Sequence, residues 1–103
     1  MIKVSVFHEY KEGKSFDIDY YLTKHIPAIK EKLGPTCKRM EVDRGLGGVQ
    51  PGSKPPFFVM THLIFDSLEA FRAAYAPHAA WVAEDRNNYT DEPPLLQISE
   101  VED

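Results

Sequence analysis

Residues 2–10 alternate strictly, with Ile2, Val4, Val6 and His8 on one side and Lys3, Ser5, Phe7 and Glu9 on the other. A period of two predicts a strand with one firmly apolar face. "KEGK" at 11–14 reads as a turn. From about Asp17 to Leu33 the apolar positions take a helical period, and Gly34-Pro35 ends the run as a helix stop. Residues 36–44 predict a second, more charged strand with Met40 and Val42 on one face. A Gly/Pro-rich loop runs from Gly45 to Pro56. "FFVMTHLIFD", residues 57–66, predicts a third strand that is apolar on both faces. Asp66-Ser67-Leu68-Glu69 reads as a capping box with Asp66 as N-cap. The helix that follows turns Leu68, Phe71 and Tyr75 inward. Pro77 interrupts it and can open a short further helix, since proline suits a first turn. Residues 85–94 form a polar loop, and "LLQISEV" at 95–101 closes as a fourth strand.

The order β-α-β-β-α-β predicts an α+β, ferredoxin-like unit: one four-stranded antiparallel sheet with both helices on one face. The free face of the sheet then needs a cover. Strand three directs Phe58, Met60, His62 and Ile64 there, and an exposed apolar sheet face usually marks an interface. Two sheets packed face to face predict a homodimer, with His62 at or near the contact.

Length changes this picture little. A chain of 103 residues is a single domain, residues 1–103. Such a domain folds alone but has little depth for a large pocket, and a partner subunit often supplies a missing wall. A formal charge of −4 without a Lys/Arg cluster argues against nucleic acid and anionic membranes. The start does not resemble a signal peptide, and no stretch approaches the ~20 apolar residues of a membrane span. These features predict a soluble, cytoplasmic protein. Asn88-Tyr89-Thr90 fits a glycosylation sequon but has no role in that setting.

The chemistry narrows by elimination. Cys37 is the only cysteine, and no two histidines have helical ligand spacing, so neither a disulfide nor a metal site is expected. "GGVQPGSK" at 47–54 has the wrong order for a phosphate loop and joins two strands. Neither G-x-S-x-G nor G-x-G-x-x-G occurs, and no cofactor is expected. What remains is imidazoles and phenols beside apolar walls, the groups of general acid/base chemistry. "YYLTKHIP" at 20–27 carries the sharpest candidate. On a helical wheel at ~100° per residue, Ile18, Leu22, Ile26, Ile29 and Leu33 span about 80°, and His25 falls about 20° outside one edge. Tyr21 stands one turn earlier on the same side. Pro27 lies on the outer face, removes one helical hydrogen bond and can bend the helix. His78 follows the break at Pro77, with Tyr75 before it and Trp81 after. The expected pocket therefore lies between helices and sheet. Its catalytic pair is His25 and His78, and Val4, Val6, His8, Tyr21, Tyr75, Trp81 and Tyr89 line it. A small hydrophobic or aromatic ligand fits such walls.

The runs "IKVSVF", "FDIDYYLTKHIP", "VDRGLGG", "FDSLEAF", "PHAAWVAEDRNNYTD" and "QISEV" together resemble the EthD family, named for ethyl tert-butyl ether degradation. The resemblance covers nearly the whole chain and implies the dimeric α+β barrel superfamily. It is less specific about reaction. Many relatives carry a reductase label, and similar barrels act without cofactors as polyketide cyclases, decarboxylases, muconolactone isomerases and quinone-forming monooxygenases. Tyr75 and His78 loosely resemble the Tyr and His that do acid/base work in plant polyketide cyclases. Three functions follow as expectations. The first is a cofactor-independent acid/base enzyme of small-molecule or aromatic catabolism. The second is a non-catalytic accessory protein that holds a hydrophobic metabolite for a monooxygenase. The third is an oxidoreductase.

Overall fold

The computed structural model describes residues 1–102. Strand β1 is Ile2–Glu9, β2 is Arg39–Arg44, β3 is Phe57–Phe65 and β4 is Leu95–Glu100. They form one antiparallel sheet in the order β2-β3-β1-β4. Helix α1 spans residues 18–33, α2 is Leu68–Tyr75 and α3 is Ala79–Asp85. The helices pack on one face, where Val4, Leu63 and Phe65 of the sheet meet Ile29 and Leu33, with Phe71 and Tyr75 against them. This is the expected α+β, ferredoxin-like arrangement.

Three local departures matter. The first is inside α1. Its middle, Tyr21–His25, is a π turn between regular helix at Ile18–Tyr20 and Ile26–Leu33. The Ile26 N–H donates to the Tyr21 carbonyl, five residues back. Pro27 has no N–H to give to Thr23, so the wider turn sits where the regular ladder is already interrupted. In a regular helix four residues advance ~400°, leaving side chains ~40° apart. The π turn closes that gap, and Tyr21 and His25 both become buried, with their rings stacked 5.4 Å apart. Leu22, expected on the inner stripe, is turned out and is exposed. The buried positions are Tyr21, His25, Ile29 and Leu33, one every four residues.

The second departure is a β-bulge. β1 and β3 pair regularly from Ile2↔Phe65 to His8↔Val59, then skip to Glu9↔Phe57. A bulge shifts the alternation of side chains beyond it. Phe58, expected on the free face, instead reaches the helix side and stacks on Phe16 at 5.3 Å. Phe57 takes its place outside, 5.2 Å from Phe7. Met60, His62 and Ile64 keep the expected face, and His62 Nδ1 lies 2.8 Å from Ser5 Oγ there.

The third concerns the start of α2. Ser67, not Asp66, is the N-cap, and its hydroxyl accepts from the Ala70 N–H at 3.0 Å. Asp66 instead lies 3.7 Å from Lys38 Nζ across the sheet. Ser67→Ala should therefore cost about 1 kcal/mol of stability. Asp66→Ala should cost less, because exposed ion pairs contribute little. Urea denaturation of both variants reads the difference.

Candidate active site

The site is built around His25. With α1 held in its π phase, His25 Nδ1 lies 2.7 Å from Asp85 Oδ2 at the end of α3. The other Asp85 oxygen accepts from the Tyr20 hydroxyl at 2.7 Å and from Asn88 Nδ2 at 3.0 Å. A buried carboxylate is tolerated when its lone pairs are filled in this way. Burial raises the Asp85 pKa, but the bonds from His25, Tyr20 and Asn88 outweigh it and hold the carboxyl below its usual value. For His25, burial is the larger effect and lowers the pKa, while Asp85 pulls it partly back. The imidazole is thus neutral at neutral pH. Asp85, an acceptor only, takes Nδ1–H, which leaves the Nε2 lone pair for the other side.

His25 lines a cavity of ≈ 350 Å³ between helices and sheet. Val4, Val6, Ile29, Leu33, Leu63, Phe71, Tyr75 and Val82 give it apolar walls. Four polar features line it. Tyr89 brings its hydroxyl to 3.5 Å from His25 Nε2, at the long limit of a hydrogen bond. Burial, with the Tyr21 and Asp85 charges adding to it, pushes the Tyr89 phenol well up, so it is a donor and not a base. Tyr21 and Thr61 share a hydrogen bond of 2.6 Å, and burial pushes the Tyr21 phenol up to about 12. His8, 3% exposed, has an Nε2 without a hydrogen-bond partner. Burial, then the nearby His25 and Arg86, push its imidazole down to about 4. Arg86 is the fourth, with an unpartnered, buried Nε.

The segment after α3 is tied to the start of α1. Asp17 N–H donates to the Tyr89 carbonyl at 2.8 Å, and the Lys11 and Lys14 ammonium groups both reach Glu92. These ties set Tyr89 across from His25. A second, wider hollow of ≈ 640 Å³ lies under loop residues 45–55. Among the described residues the two unpartnered buried side-chain nitrogens both belong to residues of the first cavity, not of this one.

Of the expected site residues, Val4, Val6, His8, Tyr21, His25, Tyr75 and Tyr89 line the cavity together. His78 and Trp81 do not. His78 ends a 3₁₀ turn, Ala76–His78, whose three-residue period takes it out of phase with Val82, Ala83 and Arg86 on α3. Trp81 stacks on the His25 ring, 5.7 Å away and nearly parallel, and Lys32 Nζ lies 4.6 Å from the centre of the Trp81 ring. It supports the imidazole from outside the cavity. Among the described residues no three His, Cys, Asp or Glu side chains converge as a metal site requires, and no helix is long and apolar enough to cross a membrane.

The match to known proteins decides the family. The family model for the EthD domain matches residues 11–93. The chain belongs to the EthD family. A solved EthD-like protein from Ralstonia eutropha JMP134 is 45% identical, with a TM-score of 0.90 over 96% of this chain and 89% of that one. An EthD-family protein from Bacillus halodurans C-125 is 22% identical with a TM-score of 0.75, over 99% of both chains. A dimeric protein of ferredoxin-like fold from Bacteroides fragilis NCTC 9343, at 14% identity and a TM-score of 0.55, covers 97% of this chain and 94% of its own. The latter two show the fold alone. No curated protein matches the chain.

In this EthD chain the residues that sequence reasoning missed are Asp85, Tyr20, Asn88, Thr61 and Arg86. Asp85 opened what reads as a polar loop, and a carboxylate at a helix end ordinarily faces water. The one available signal is its spacing, four residues after Trp81, which puts both on one side of α3. Thr61 alternates with Val59 and Leu63 on the inner face of β3 and reads as a polar exception in an apolar row.

Proposed function

We propose that this chain is a cofactor-independent acid/base enzyme acting on a small aromatic or cyclic ketone or acid, in cytoplasmic catabolism of small molecules. One observation carries the reading: the Asp85–His25 pair, bonded at 2.7 Å, lines an apolar cavity, with the Tyr89 hydroxyl at a long 3.5 Å from His25 Nε2. A neutral imidazole held in one tautomer by a carboxylate is a competent general base near neutral pH. In the step we infer, His25 Nε2 takes a proton from carbon next to a carbonyl. Asp85 stabilises the imidazolium that forms, and the negative charge moves to the carbonyl oxygen. The Tyr89 hydroxyl and the Tyr21–Thr61 pair are the neutral donors within the cavity for that oxygen. The proton then returns from His25 to carbon or to oxygen.

The test needs no added cofactor. The protein is incubated in D₂O with a panel of cyclic ketones and planar keto acids, and loss of the α-proton signal is followed by NMR. Catalysed exchange above the buffer rate on at least one ligand supports the enzyme. Saturable binding with no exchange or other turnover leaves a carrier of hydrophobic metabolites. A visible change on titration with flavin or nicotinamide would favour the oxidoreductase.

We also propose that the working unit is a homodimer joined through the free sheet faces. Phe7, Phe57, Met60, His62 and Ile64 share that face, and neighbouring Leu95 is half exposed. Leu96, which closes one flank of the cavity, is 67% exposed, as expected where a wall is incomplete. The Bacteroides fragilis neighbour is itself dimeric. Ile64→Glu should weaken association at least tenfold, because it carries a charge into an apolar contact. Sedimentation at micromolar concentration should show twice the chain mass for the wild type and a shift towards the single chain for the variant. A wild type of single-chain mass would remove the dimer.

A further inference from the structure

Two buried side-chain polar atoms of the cavity have no hydrogen-bond partner among the described residues. His8 Nε2 and Arg86 Nε are the buried side-chain nitrogens left without a hydrogen bond among the described residues, and both residues line the same cavity. Buried polar groups are nearly always paired, so two orphans in one hollow point to a ligand that pairs them. The acid/base pair does not need either of them.

Their chemistry is specific. Among the described residues Arg86 makes no ion pair, although its neighbour in sequence is a carboxylate. Asp85 is already committed to His25, Tyr20 and Asn88. Half-buried Arg86, with its Nε fully buried, therefore brings a positive charge without an ion-pair partner to the lining of an apolar cavity, within electrostatic reach of His8. His8 is neutral there, and a neutral imidazole in its Nε2–H tautomer can supply a second donor without adding charge. A cation and a neutral donor facing apolar walls match a delocalised oxyanion attached to a ring.

Resting on the acid/base reading above, we propose that His8 Nε2 and Arg86 form an oxyanion subsite, and that the ligand of this protein is a ring-bearing monoanion, a carboxylate or an enolate-like phenolate. The ring lies along Val6, Leu63 and Phe71, and the anionic oxygen points to Arg86. Arg86 is then the residue that selects acids over neutral ketones of the same shape.

Isothermal titration calorimetry at pH 7 with three probes tests this: 2-naphthoate, 2,4-dinitrophenolate and the neutral 2-naphthalenemethanol. The wild type should bind at least one anion tenfold or more tighter than the alcohol. The better anion distinguishes a carboxylate from a phenolate-type ligand. Arg86→Gln should erase the preference while leaving the alcohol unchanged, and Arg86→Lys should restore part of it. Equal binding of anions and alcohol, or a preference that survives Arg86→Gln, overturns the subsite and leaves the acid/base enzyme standing. An intact preference in a protein whose His25→Ala variant keeps full turnover does the reverse. Binding of no probe at millimolar concentration overturns both.

Discussion

His25→Ala is expected to lower cofactor-free turnover by about a hundredfold or more, the usual contribution of a positioned general base. The loss should fall on kcat more than on KM, because the imidazole acts on the transferring proton and the apolar walls remain. Alanine is the best helix former, so α1 should persist, although the stack between Tyr21 and Trp81 loses its middle ring. A sharper companion is Asp85→Asn. The amide still fills the space but carries only one acceptor oxygen for His25, Tyr20 and Asn88. It can present N–H to Nδ1 and so favour the wrong tautomer. Turnover should fall about tenfold or more. The pH profile distinguishes this from a structural role. His25 is held below its ordinary value by burial, with Asp85 pulling back up. Activity in the wild type should therefore decline only as pH falls below 6.5, the ordinary histidine value. Removing the carboxylate should move that acid limb further down while lowering the plateau. An acid limb that stays in place in Asp85→Asn, or a His25→Ala variant with full exchange activity, would sink the dyad.

The fold was legible because its signals are local and repeated. Alternation in β1 and β3, the stop at Gly34-Pro35 and the break at Pro77 each fix an element without reference to the rest of the chain. Gly34 takes φ 61°, the left-handed conformation that ends the helix. The lining of the candidate site was legible in part. His25 was recognised by its residue type and neighbours, but the wheel put it at the rim because it assumed a regular helix throughout. A π turn is a one-residue insertion in phase, and nothing in hydrophobic spacing marks it except the proline that follows. The bulge at Phe58 is the same kind of event in a strand. One skipped residue moved Phe58 from the free face to the aromatic cluster around Tyr21, Val59 and Tyr89. Asp85 was legible only through its spacing from Trp81, a signal too weak to single it out. A carboxylate buried by three hydrogen bonds looks, in sequence, like any solvated helix end. His78 attracted notice for its type and its place after Pro77, and the 3₁₀ turn then carried it away from the cavity.

Acid should destabilise this protein more steeply than an average domain, and His8 should be the main single cause. Its imidazole falls from 6.5 to about 4 on folding, because burial disfavours the charged form and His25 and Arg86 repel it. The folded state therefore binds fewer protons than the unfolded chain at intermediate pH, and stability must rise with pH there. The contribution is complete above pH 6.5 and declines as pH falls towards the folded value of about 4. At about 1.36 kcal/mol per unit, the loss reaches ~3 kcal/mol at the lower end, a large share of the 5–15 kcal/mol typical of a domain. His25 and Asp85 are also depressed, and each adds in the same direction as pH drops. His8→Met isolates the His8 share, since methionine fills a similar volume, does not titrate and packs well among Phe16, Tyr21 and Tyr89. Urea midpoints measured from pH 7.5 to 4.5 should fall less steeply in the variant, with the two curves converging on the acid side if methionine costs some packing at neutral pH. Parallel curves over the whole range would mean that His8 is charged, or solvated, in the folded protein.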